Sequence, residues 1–320
     1  MRRQPEFRAL LERLPGHGAA VHIAGLPGSL PSLLAAALAE AEPRRVWVVV
    51  APGPAEAEEV EADLQSLLGE GPAVLYPQRE TLPYEADEHH VEVSGRRVEA
   101  LEALLSGRIR VLVTTVRALQ EQDEIPSGLA ELRLSIAVGD TFRLQELTDR
   151  LEQLGFERSS LVEAVGEYAL RGGILDLFGF GASEPVRIAF WGGEVVSIRH
   201  FDILDQRSTD ELREVDILPV DLRAASAAED ERVRRSLLDV LPPDSVLIEL
   251  AADDLEAELR RTWSQVEHLY AAERRRGGRP EAPDTVFLTP DRAMQALTRF
   301  GRLRVAPPGV ADLRFRVRGA

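Results

Sequence analysis

The stretch AGLPGSLPSLL, residues 24–34, is the first place in the chain where residue types and spacing point to chemistry. An apolar run, AAVHI, precedes it and an Ala/Leu-rich run follows it. Strand, glycine turn and helix in that order are the frame of a phosphate-binding loop, G-x-x-x-x-G-K-[ST], where backbone N–H groups and a lysine hold the phosphates. On that frame Gly25 takes the first glycine and Gly28 lies within the turn. Leu30, Pro31 and Ser32, however, stand where Gly, Lys and Ser/Thr belong. Leu30 bars the close approach that glycine permits, and Pro31 brings neither a cation nor an N–H donor. All 38 basic residues are arginine, so no other register supplies a lysine. The expectation is a relic loop that packs a helix onto a strand and binds no nucleotide.

Three further groups of reactive side chains are weaker. ADEHH (86–90) gathers Asp87, Glu88, His89 and His90. Adjacent residues do not share a face of a helix or strand, so they converge poorly on one metal ion. Ser29 and Ser32 lie near a turn with no His/Asp relay in view. AERRRGGRP places four arginines together, which could contact nucleic acid but beside an acidic body reads more simply as a solvated loop.

The elements that must position these groups follow from periodicity. Up to about residue 120, strand-like runs (RVWVVVAPG, AVLYP, RVLVTTV) alternate with helical ones. Val60, Leu64, Leu67 and Leu68 form one helical stripe, and Val98, Leu101, Leu104 and Leu105 another. Such alternation predicts a parallel sheet covered on both faces. From about residue 131 the rhythm changes. LRLSIAV alternates strictly through Leu132, Leu134, Ile136 and Val138, as a half-exposed antiparallel strand does. A helix follows, striped by Leu144, Leu147, Leu151 and Leu154. Then come closely spaced strands punctuated by Gly172, Gly173, Gly192 and Gly193. After Pro219 the α/β rhythm returns: DSVLIEL, TVFLT and RLRV read as strands, with helices over Leu255 to about Ala272 and PDRAMQALTRF. The economical reading is one α/β domain interrupted by an α+β insert.

Period two along PVRIAFW puts Arg187, Ala189 and Trp191 on one face and Ile188 and Phe190 on the other. An Ile/Phe face suits a core, leaving Arg187 and Trp191 outward. Exposed tryptophan beside arginine is the composition of a binding hot spot. The plainer alternative is that Trp191 covers a small satellite core and Arg187 pairs with Glu184 or Glu194.

Composition narrows the classes. The 320 residues amount to about two domains' worth of chain. No cysteine is present, which excludes disulfides, cysteine-ligated zinc and a thiol nucleophile. The N-terminal stretch has no continuous apolar region of a secretory signal, no run reaches membrane-span length, and a cytoplasmic protein is expected. A net charge of -16 argues against general DNA binding, though a local basic patch could survive.

Four segments resemble the N-terminal UvrB-homology region of the bacterial transcription-repair coupling factors: YPQRETLPYE (76–85), RVLVTTVRAL (110–119), GEYALRGGILDLF (166–178) with PVRIAFWGGEVVSIRHFD (185–202), and DQRSTDELREVDILP (205–219). The resemblance covers essentially the whole chain. It implies a degenerate P-loop, RecA-like parallel-sheet domain in two parts, 1a (1–122) and 1b (220–320), interrupted by an α+β UvrB-type domain 2 (123–219). It implies that domain 2 binds the excision-repair protein UvrA, with Arg171, Arg187, Trp191 and Phe190 as the matching residues. Glu249, in VLIEL, matches the acidic strand that holds Mg²⁺ in UvrB, without its paired acids. Only EQDEIPSG stands where UvrB inserts an aromatic hairpin between DNA strands.

By resemblance the chain is the N-terminal piece of a longer protein and a non-catalytic recruiter of UvrA to stalled RNA polymerase, with no cofactor and no metal. RNA polymerase and DNA would be met through downstream domains, and a C-terminal domain would hide the UvrA surface at rest. The rivals are a UvrB-like ATPase that verifies damage and a structural DNA-handling domain.

Overall fold

In the computed structural model, residues 1, 4–69, 71–85, 91–125, 129–179, 182, 184–220, 222, 234–250, 255–305 and 311–315 are described. ADEHH lies outside them. The chain divides into two compact units. One comprises residues 1–88, 103–123 and 234–320, the other 89–102 and 124–233.

The first unit is built on a seven-stranded, all-parallel sheet. Its order is Leu313–Arg314, Ala20–Ala24, Gly301–Val305, Val246–Glu249, Trp47–Ala51, Val111–Thr115, Ala73–Leu75. The central strands are apolar on both faces because helices cover both. Every residue of Trp47–Ala51 and of Val111–Thr115 is buried. Helices Pro5–Glu12, Leu30–Ala41 and Pro54–Leu68 contribute Phe7, Leu10, Leu34, Leu38, Val60 and Leu64 to one continuous core.

TVFLT does not form the expected strand. Pro283–Val286 is a single helical turn, and Phe287 makes one isolated bridge to Glu121. Pro283 presets the helical φ at the first position of that turn. Val286 and Phe287 still reach a small core with Val266. The segment is apolar because it is buried, not because it is extended.

The second unit carries a six-stranded sheet ordered Ser208–Leu212, Glu194–Phe201, Val186–Trp191, Ile174–Leu177, Glu167–Arg171, Glu157–Arg158. Its pairs are antiparallel except the last. The glycine pairs Gly172–Gly173 and Gly192–Gly193 occupy the two hairpin turns. Gly193 combines a φ of 94° with a close approach to the Phe142 carbonyl, so no Cβ fits there. Helix Leu144–Gln153 lays Leu147 and Leu151 on one sheet face, against Tyr168, Leu175, Leu177, Val186, Ile188, Phe190, Val195 and Ile198. A separate ribbon pairs Leu134–Ala137 with Glu214–Ile217. The alternation read through Val138 stops at Ala137, where the chain turns and leaves Val138 exposed.

Two tyrosines report on this packing. The Tyr168 hydroxyl, buried in the second unit, donates to Glu152 Oε1 at 2.7 Å. That of Tyr84, in the first, donates to the Glu281 carbonyl at 2.8 Å. Burial is the main force pushing both phenols up to about 12. Folding therefore favours the protonated phenol, so its stabilisation is complete below the ordinary tyrosine pKa of about 10 and is lost as pH rises toward 12. The melting temperature should fall across that window. Tyr168→Phe and Tyr84→Phe should each flatten the fall in a thermal-melt pH series.

Candidate functional site

The outer face of the six-stranded sheet, opposite the helix-covered core, gathers the sequence-derived residues. Strand register sets Asp176 directly beside Arg187, and Ile174 beside both Arg171 and Ala189. Asp176 is 0% exposed yet carries a carboxylate. Arg187 grips it with two parallel bonds, Nε to Oδ1 at 2.7 Å and Nη2 to Oδ2 at 2.9 Å. Arg171 adds a third, Nη2 to Oδ2 at 2.5 Å. The forked geometry of guanidinium matches a carboxylate in this way and lysine's does not. Arg187 also donates from Nη1 to the Gln206 carbonyl at 2.9 Å and lies 4.6 Å over the Phe201 ring. The Asp176 hydrogen bond holds the Arg187 guanidinium above its ordinary pKa.

Arg187 therefore answers neither Glu184 nor Glu194. Its partner is Asp176, which the sequence reading missed. The signal was present in ILDL: Leu175 and Leu177 take the core face, so Asp176 must share the other with Arg187. Arg187 is 20% exposed and largely committed to this pair, whereas Arg171 is 48% exposed. Trp191 covers no core. It stands 80% exposed at the end of its strand, and Ile174, Val196 and Leu204 are exposed apolar side chains of the same sheet and its turn. Phe190 is not brought to this face: it is buried with Ile188 beneath it.

The glycine turn takes a different form from a phosphate cradle. Residues 25–29 link strand Ala20–Ala24 to helix Leu30–Ala41, with Pro31 in the helix's first turn. Ser29 gives no side-chain cap and Ser32 is buried. Leu30 packs against the core. Gly28 has a φ of 59° and open space around it. Gly25 has a φ of 83°, and a Cβ there would collide with the Phe315 carbonyl oxygen. Phe315 N–H in turn donates to the Ala24 carbonyl at 2.9 Å. Gly25 thus admits the chain's own backbone. Glu249 is buried at the end of its strand, 3.1 Å from Arg304 Nε and 3.5 Å from Arg302 Nη1. Burial pushes its carboxyl up, against the pull of both arginines. Among the described residues, no group of three or more His, Asp and Glu side chains could hold a metal ion. No helix among them is long and apolar enough to cross a membrane.

The arginine-braced sheet and its leucine-striped helix fall within a single family-model match. The family model described as the UvrB interaction domain matches residues 134–222. The transcription-repair-coupling factor of Mycobacterium tuberculosis is 34% identical over 281 residues, 81% of this chain and 22% of that protein. That of Bacillus subtilis is 32% identical over 197 residues, covering 62% of this chain and 17% of its own length. That of Myxococcus xanthus is 36% identical over 183 residues, 55% of this chain and 15% of its own. By sequence the chain corresponds to the N-terminal, UvrB-homologous region of the transcription-repair-coupling factors. It spans only about a fifth of the length of the mycobacterial relative.

Two substitutions separate framework from surface. Arg187→Ala strips the bidentate partner from a buried carboxylate and should cost about 3 kcal/mol or more. Arg171→Ala, at a half-exposed position, should cost about 1 kcal/mol or less. Gly25→Ala should cost about 1–3 kcal/mol through its left-handed φ and the Phe315 backbone. Urea unfolding of each variant measures all three.

Proposed function

We propose that the outer face of the six-stranded sheet binds UvrA, and that the chain serves as the non-catalytic UvrA-recruiting module of a coupling factor acting on stalled RNA polymerase. The observation that carries this reading is an exposed tryptophan on the same sheet as the half-exposed Arg171, whose guanidinium is fixed by its Asp176 pair. Tryptophan and arginine supply most of the energy of small interfaces when their scaffold is ordered beforehand. The matched interaction domain contains the whole face. In this reading Arg171 and Trp191 touch the partner and Arg187 holds them in place. The partner's complementary groups are carboxylates, so added salt weakens the complex. A C-terminal domain of the full-length protein covers the same face at rest. Nucleotide chemistry gains no support from a turn that has Pro31 at the lysine position and packs Gly25 against Phe315.

The test is calorimetric titration of UvrA into the chain and into Trp191→Ala and Arg171→Ala variants of unchanged melting temperature. Each should bind at least about tenfold more weakly, or about 1.4 kcal/mol. Equal binding by both variants would move the site elsewhere. A folded parent that does not bind would remove the reading.

A further inference from the structure

The arginine-rich segment AERRRGGRP is not the loose solvated loop that its composition implies. Helix Leu255–Arg275 runs 21 residues and ends in Arg274 and Arg275. Gly277 then adopts a φ of 90°, and Gly278 N–H donates back to the Glu273 carbonyl at 3.2 Å. This is a glycine-terminated helix end of the Schellman kind. Beyond it the chain is tied down again: the Tyr84 hydroxyl donates to the Glu281 carbonyl, and Arg234 pairs with the Glu281 carboxylate at 3.0 Å. The four arginines of the segment are thus presented on an ordered support.

Charge is concentrated here against the trend of the chain. Residues 273–280 hold Arg274, Arg275, Arg276 and Arg279 against the single carboxylate of Glu273, in a protein of net charge -16. All four arginines are exposed. Arg276 lies 3.6 Å from Glu273, and Arg274 sits 5.8 Å over the Tyr270 ring. Arg275 and Arg279 meet no carboxylate among the described residues. Cations in the last turn offset the negative end of the helix dipole. That accounts for Arg274 and Arg275 but not for Arg279, which lies past the glycines. Gly277 has nothing within 4 Å of where a Cβ would sit, so the tip is open there, whereas Gly278 lies against the Glu273 side chain, which Arg276 also meets.

We infer that this helix end is a contact site for the phosphate backbone of duplex nucleic acid. Spread, exposed guanidinium groups suit a row of phosphates. The aromatic group here, Tyr270, is partly buried, lies under Arg274 and packs 5.5 Å from the Tyr84 ring, so it offers no platform for stacking bases. The contact is therefore one of charge and is independent of base sequence. Its affinity falls with salt at a log–log slope between about -3 and -4, for up to four phosphates at about 0.9 each.

The experiment is fluorescence anisotropy of a short labelled DNA duplex of arbitrary sequence, across a salt series. The chain is compared with an Arg275→Gln/Arg279→Gln variant whose melting temperature is unchanged. Polyglutamate serves as the competitor. Binding at low salt, at least tenfold weaker in the variant and with a slope shallower by about 2, is the expected result. No binding at low salt, or binding that ignores the substitutions, overturns the site. Displacement of the duplex by polyglutamate at equal charge concentration overturns its chemistry and makes the partner an acidic polypeptide.

Discussion

A carboxylate taken out of water has to be met by a cation, and this requirement recurs through both units. The five acidic residues that are buried among the described residues are Glu102, Glu121, Asp123, Asp176 and Glu249. Each lies against arginine: Arg133, Arg117, Arg79, the Arg171–Arg187 pair, and the Arg302–Arg304 pair respectively. With no lysine in the chain, every one of these contacts is made by a planar guanidinium, which at Arg187 bonds its carboxylate in two places at once. Such pairs offset the cost of their own burial more than they add stability. Their value lies in position. Arg79 and Asp123 join segments 44 residues apart, and Arg304 and Glu249 segments 55 apart. Removing one member leaves a charge stranded, so register errors are penalised.

The parallel sheet fills with its own groups the place where an α/β fold commonly holds a ligand. Open α/β sheets bind ligands beyond the carboxyl ends of their strands. Here those ends are occupied by the protein itself. Thr114 Oγ1 donates to the Tyr76 carbonyl, Thr115 Oγ1 to the Gln78 side chain, and Tyr76 Oη to Asp123. His22 N–H donates to Asp312 at 2.8 Å, and Arg304 stands between His22 and Glu249. The turn at Gly25 keeps its glycine because Phe315 needs the room. The strand–turn–helix frame is held by the chain's own backbone contacts and ion pairs.

On the other sheet the same pairing serves an exposed surface. Asp176 is buried only because two arginines cover it, and covering it fixes both guanidinium groups on the outer face. Those groups have little conformational freedom left to lose on binding. The bulge between Ala189 and Phe190 increases the local exposure by leaving Val196 unpaired. A framework interaction and a recognition surface are thereby the same set of side chains, which is why Arg187 and Arg171 differ in role despite sharing one partner.

The sequence by itself determined whatever depends on local periodicity and residue chemistry. The α/β rhythm of the first 120 residues and the hairpins at Gly172–Gly173 and Gly192–Gly193 follow from patterns of two and of 3.6. So does the outward direction of Arg187 and Trp191, and the defect at Pro31 is a matter of composition alone. Tertiary structure decided what depends on meetings between distant residues. That Asp176 rather than Glu184 or Glu194 receives Arg187 is set by strand pairing, which no single strand encodes. Phe287 could not be told from a strand residue, because an apolar run is the same string whether it is buried extended or at the end of a helical turn. The reason for Gly25 lies 290 residues away at Phe315. Whether an arginine is a brace or a free contact is a question of what packs against it, and that is answered only when the chain has closed.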